Sequence, residues 1–125
     1  MKTIQRLALA LLSLMCALSA AAADLKVGLS TSLSGPAASI GIPYAKGMQA
    51  ALAYKGEVSG HKIQLITLDD NSDPTTAARN ARKLIEEDKV DVLMGTSGAP
   101  SAMAMAGVAR ESKTPMIALT PVNLD

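Results

Sequence analysis

The residues best placed by type and spacing to act on a small molecule are in Gly95-Thr96-Ser97-Gly98-Ala99-Pro100-Ser101. This stretch of small residues follows a short apolar run, Val90–Met94, and precedes an apolar helix reaching to about Ser112. Backbone amides freed at a helix start favour an anionic group such as a carboxylate, and the serine hydroxyls could add hydrogen bonds to it. The same serines could merely cap the helix, which is the commoner role for serine there. A third chemistry is nucleophilic. Gly95-Thr96-Ser97-Gly98-Ala99 approaches the G-x-S-x-G elbow, which would make the chain an α/β hydrolase fragment with Ser97 as nucleophile. The pattern fails at Ala99, and the only histidine, His61, precedes Ser97, against the usual hydrolase order. A binding role is therefore expected, not an enzyme.

Other constellations are weaker. Asp69, Asp70 and Asp73 lack the glycine and distal glutamate of a calcium loop, and Asp73 before Pro74 reads as a helix cap. His61 stands alone at a strand start and is expected to face solvent. There is no Gly-Lys-Ser/Thr, and the first strand leads to no G-x-G-x-x-G. No metal and no cofactor is expected.

The elements that position the loop follow from hydrophobic periodicity. Leu25–Ser30 alternates and reads as the first strand. Thr31–Gly41 is a loop with turn chemistry at Ser34-Gly35-Pro36, and Pro43 suits the first position of a helix running to about Tyr54. Lys55–Gly60 reads as a polar turn, His61–Leu68 as the second strand and Asp69–Asp73 as the loop beyond it. Ala77, Ala81, Leu84 and Ile85 form one apolar stripe of the next helix. Val90 opens the third strand, and Pro115–Leu119 makes the fourth. Met103 and Met105 fall in a helix apolar nearly all round and are expected in the core. This alternation predicts an α/β fold, a parallel sheet with helices on both faces. Ligands of such sheets bind beyond the carboxyl ends of the strands, where Gly95–Ser101 and Thr120–Asn123 fall.

Composition sets the setting. Lys2 and Arg6 precede the apolar run Leu7–Leu18, and Ala21-Ala22-Ala23 is a small-residue cleavage site. Residues 1–23 thus read as a secretory signal peptide cut after Ala23, the competing reading being an N-terminal membrane anchor. Cleavage takes Lys2 and Arg6 from the 12 basic residues and leaves all 11 acidic ones, so the net charge becomes −1. That gives no electrostatic reason to expect a nucleic acid partner. The only cysteine, Cys16, leaves with the signal, which excludes disulfide and thiolate chemistry in the mature chain. The chain stops just after a strand, which reads as a fragment.

Taken together, the signal, LSGPAASIG after the first strand, LDDNSDP before a helix, and LMGTSGAPSAMAMAGVARESKTPMIALTP resemble type I periplasmic binding proteins of the branched-chain amino acid (leucine-binding protein) group. The resemblance covers residues 24–125 and implies a partial N-terminal ligand-binding lobe, its first four strands. It implies a periplasmic receptor that catches an amino acid or similar small carboxylate between two lobes. The partner it implies is the membrane permease of an ABC transporter. By position, it implies ligand contacts at Ser97, Gly98, Ala99 and Ser101 after the third strand. It also implies contacts at Val122 and Leu124 after the fourth strand, and at Ile40, where an aromatic is common. The leucine-binding type has a serine at the place of Ala99, and a disulfide whose cysteines match Ser72 and Gly98. These departures point away from leucine and toward the branch binding aromatic or other carboxylates. A third class, a ligand-sensing receptor domain, would need a signalling segment downstream.

Overall fold

The computed structural model describes residues 23–123. The signal-peptide reading of residues 1–22 and the candidate contact Leu124 lie outside the described residues.

Eight elements follow in order. They are β1 (Leu25–Thr31), α1 (Ala38–Tyr54), β2 (Glu57–Val58), β3 (His61–Asp69), α2 (Pro74–Glu86), β4 (Val92–Gly95), α3 (Ala99–Ser112) and β5 (Met116–Ala118). They build one five-stranded sheet in the order β2-β3-β1-β4-β5. β1 lies parallel to both β3 and β4, and β4 parallel to β5. The short β2 is antiparallel to β3, so the sheet is mixed at one edge and parallel elsewhere.

Chain direction explains the layering. From β1 the chain moves outward to β3, then crosses back over β1 to β4, and goes on to β5. Right-handed crossovers in opposite directions put α1 on one face of the sheet and α2 and α3 on the other. The main core lies under α2 and α3, formed by Ala77, Ala81, Leu84, Val90, Leu93, Met105, Val108 and Ala109. Gly28 leaves room for it: a methyl group there would stand 3.1 Å from both Leu84 Cδ1 and Val90 Cγ1. On the opposite face Val27, Leu29 and Ala45 are buried.

α2 forms as its sequence predicts. Asp73 caps it, accepting from the Thr76 amide at 2.6 Å, and Pro74 fills the first turn. The apolar stripe buries Ala77, Ala81 and Leu84, with Ile85 packed at its margin.

Four expectations need correction. α1 begins at Ala38, not at Pro43, which lies inside it. The Gly35-Pro36 turn feeds the helix directly through Ala38 N–H to the Gly35 carbonyl (3.2 Å). Pro43 is on an exposed side, where the one missing backbone bond falls to Ser39, also exposed. The polar turn Lys55–Gly60 contains β2. Ser59 and Gly60 have φ of 53° and 83°, the two positive values a tight hairpin turn requires, and Val58 pairs with His61. Val90 is buried, but its amide bonds Leu84 rather than the ladder, which begins at Val92. Finally, Met105 is fully buried as expected, whereas Met103 is 51% exposed because it falls on the opposite side of α3.

Candidate functional site

β1 and β4 are neighbours whose connections leave for opposite faces, so a crevice opens between their carboxyl ends. Three loops meet there, after β1, β3 and β4. Polar residues are buried around the crevice: Thr31, Ser32, Asp70, Thr96, Ser97 and Ser101 are all at most 8% exposed.

Each loop is held by side-chain to backbone bonds. Asp69 accepts from the amides of Leu33 (2.9 Å), Ser34 (3.2 Å) and Asn71 (2.8 Å), and from Ser34 Oγ (2.5 Å). Partial burial pushes its carboxyl up, but these donors together outweigh that and hold its pKa below the ordinary 3.8. Ser72 Oγ accepts from the Ala37 amide (3.0 Å) and donates to the Ser34 carbonyl (3.1 Å). Asp70 accepts from Ser32 Oγ (2.7 Å), the Ser72 amide (2.9 Å) and Thr96 Oγ1. Ser97 Oγ bonds Thr31 Oγ1 (3.0 Å) and accepts from the Ser32 amide (3.3 Å).

α1 closes over this cluster through Gly41. A methyl group at Gly41 would stand 2.0 Å from the Ser32 carbonyl and 2.6 Å from Ser97 Oγ, so only glycine fits. Gly35, at φ 78°, likewise sits where a side chain would meet the Asn71 carbonyl at 2.6 Å.

The space left between the loops is a cavity of about 190 Å³ lined by Ser32, Ala37, Ser72, Pro74, Gly98, Pro100 and Ser101. α3 starts at its wall. Gly98 is the N-cap, no side chain caps the helix, and its first turn carries no acidic residue. Neither Ser97 nor Ser101 is therefore a cap. The Ser101 hydroxyl makes no hydrogen bond among the described residues. No fully buried polar side-chain atom among them lacks a partner, so this hydroxyl opens onto the cavity. The wall thus offers unpaired helix amides and a hydroxyl, a neutral donor set suited to a carboxylate.

Of the positions expected to contact a ligand, Gly98 and Ser101 line this cavity, Ala99 is the first residue of α3, and Ser97 does not line it but accepts from the amide of the wall residue Ser32. Ile40 is in the first turn of α1 and is 46% exposed. Val122 instead lines a separate hollow of about 210 Å³ beside α3 and β5, with Ala106, Ala109, Arg110, Met116 and Ala118. Tyr44 ties the loop after β5 to α1 by donating to the Leu119 carbonyl at 3.3 Å. Sequence reading missed Ser32 and Pro74 as wall residues and Asp70 as a loop anchor. The available signal was the place of Ser32 and Asp70 directly after strands and of Pro74 at the start of a helix. His61 starts β3 at the amino edge of the sheet, where its Nδ1 is 2.8 Å from the Ala23 carbonyl. Ser97 is at the carboxyl edge, so no histidine serves it as base among the described residues. No group of three or more potential metal ligands occurs among them either.

A doubly wound sheet with a donor-lined cavity at its switch point is the arrangement in which open α/β sheets hold small ligands. Residues 24–125 match the family of the periplasmic binding protein. A Leu/Ile/Val-binding protein homologue from Brucella suis is 33% identical over 119 residues, covering 93% of this chain and 30% of that protein. An extracellular ligand-binding receptor from Rhodopseudomonas palustris superposes with a TM-score of 0.75 at 43% identity, over 82% of this chain and 28% of that one. A solute-binding protein of an ABC transporter from R. palustris, solved with 3,4-dihydroxybenzoic acid, gives 0.73 at 33% identity, over 80% and 28%. The chain belongs to the periplasmic binding proteins of type I, in the branched-chain amino acid group. It spans less than a third of the length of these relatives.

Proposed function

We propose that this chain supplies part of the first lobe of a periplasmic solute-binding protein that delivers an amino acid or related small carboxylate to an ABC importer permease. The observation that carries this reading is the uncapped start of α3, with the Ser101 hydroxyl, opening on the cavity at the sheet's carboxyl edge. In this reading the amides of Gly98 and Ala99 and the hydroxyl of Ser101 take the carboxylate. Ser97 shapes that loop through its bonds to Thr31 Oγ1 and the Ser32 amide, and Ile40 contacts the rest of the ligand. Residues 1–23 direct export and are removed after Ala23, placing residues 24–125 in the periplasm. The protein binds and releases its ligand without chemistry.

A cavity of about 190 Å³ is below the ~300 Å³ at which ligand pockets usually begin. That fits a site completed by a second lobe through hinge closure. An aromatic carboxylate is a second reading, supported by the relative solved with 3,4-dihydroxybenzoic acid. Calorimetric titration of the full-length protein with L-leucine and with 3,4-dihydroxybenzoate separates the two. Replacing Ser101 by alanine should weaken the ligand that binds by about tenfold, the worth of one hydrogen bond to a charged group. Unchanged affinity would remove Ser101 from the site.

A further inference from the structure

Asp70 touches all three loops yet lines none of the cavity. It is fully buried. Its donors are neutral: no lysine, arginine or histidine bonds it among the described residues. Oδ1 accepts from Ser32 Oγ in the β1–α1 loop and from the Ser72 amide in the β3–α2 loop, and Oδ2 from Thr96 Oγ1 in the β4–α3 loop. Ser32 and Ser72 are both cavity wall, and Thr96 leads into Ser97-Gly98.

A buried carboxyl group is tolerable only while its oxygens are hydrogen-bonded. Here those bonds exist only when the three loops stand in their observed arrangement. We propose that Asp70 is a positioning residue that locks the three loops together, so that the Ser32–Ser72 wall and the start of α3 converge on one ligand. The ligand half of this statement rests on the function proposed above; the locking of the loops does not.

The test is residue-resolved amide hydrogen exchange on the full-length protein, with ligand titration beside it. Asp70→Ala should raise exchange about tenfold in all three loops, residues 32–34, 71–73 and 96–101, while amides within β1 and β3 keep their protection. Asp70→Asn should restore exchange to within about threefold of wild type. Its carbonyl oxygen keeps both Oδ1 donors, and its NH2 can donate to Thr96 Oγ1. Loosening confined to the β3–α2 loop, or spread evenly through the strands, would overturn the proposal. Should Asp70→Ala fail to fold, Thr96→Val decides. It should loosen residues 96–101 and spare the Ser72 amide, and wild-type exchange in residues 96–101 would overturn the proposal. For whichever of L-leucine and 3,4-dihydroxybenzoate binds the wild type, Asp70→Ala should cost about tenfold in affinity and Asp70→Asn should recover it; unchanged affinity in Asp70→Ala contradicts a positioning role. If neither probe binds the wild type, the proposed function fails and the exchange arm alone decides on Asp70.

Discussion

Gly41 shows how closely single residues are constrained at this edge. A β-carbon there would fall 2.0 Å from the Ser32 carbonyl, so α1 or the end of β1 would have to move. Gly41→Ala should therefore destabilise the protein by about 1–3 kcal/mol, the usual range for overpacking, in spite of alanine's better helix propensity. An unchanged urea midpoint would show that α1 does not press on the site. Asp73 offers a cleaner number. Its cap bond to Thr76 should make Asp73→Ala cost about 1 kcal/mol, and no loss on urea unfolding would mean the cap contributes nothing. The bonds from Thr76 also hold the Asp73 carboxyl below its ordinary 3.8, as the donors around Asp69 do for that residue. A carboxylate with a depressed pKa in the fold contributes stability that is complete above its unfolded value and is lost as pH falls through the folded one. Stability should then decline below about pH 4, and Asp73→Asn, which can still cap, should flatten that decline. A variant that loses stability with acid as steeply as wild type would exclude Asp73 from the effect.

Among the elements, those with strong periodicity were legible from sequence and those built by a turn were not. α2 was readable because Asp73, Pro74 and the stripe Ala77, Ala81, Leu84 state its start and its buried face. Its core role predicts about 2–5 kcal/mol lost in Leu84→Ala, measurable by denaturant unfolding; a loss under about 1 kcal/mol would show the core relaxing around the gap. β2 was hidden because two residues carry no pattern, and its turn depends on positive φ at Ser59, which sequence does not announce. α1 was misplaced because Pro43 is a common first helical residue, whereas the Gly35-Pro36 turn starts the helix five residues earlier. At the site, the small-residue loop before α3 was readable as an anion-favouring helix start. The anchoring by Asp70 was not, since its partners come from residues 38 and 26 positions away. Adjacent Asp69 and Asp70 look alike in sequence and do different work: one shapes its own turn and the β1–α1 loop, the other joins three loops.

At the scale of the whole molecule, the three loops meet in a crevice along the carboxyl edge of the sheet. The cavity between the loops is small and open, and the hollow holding Val122 is separate from it. A second lobe closing on the carboxyl edge would exclude water from the α3 start, where hydrogen bonds to a carboxylate gain strength. The segment of residues 24–125 alone should consequently bind ligand weakly or not at all. The most direct test of the central claim compares a carboxylate with its neutral amide in calorimetric titrations of the full-length protein. The pairs are L-leucine against L-leucinamide and 3,4-dihydroxybenzoate against 3,4-dihydroxybenzamide. At least one carboxylate should bind and its amide should lose at least about tenfold, because the α3 amides and Ser101 are matched to an anion. Equal affinity for a carboxylate and its amide, or no binding of either acid, would contradict it.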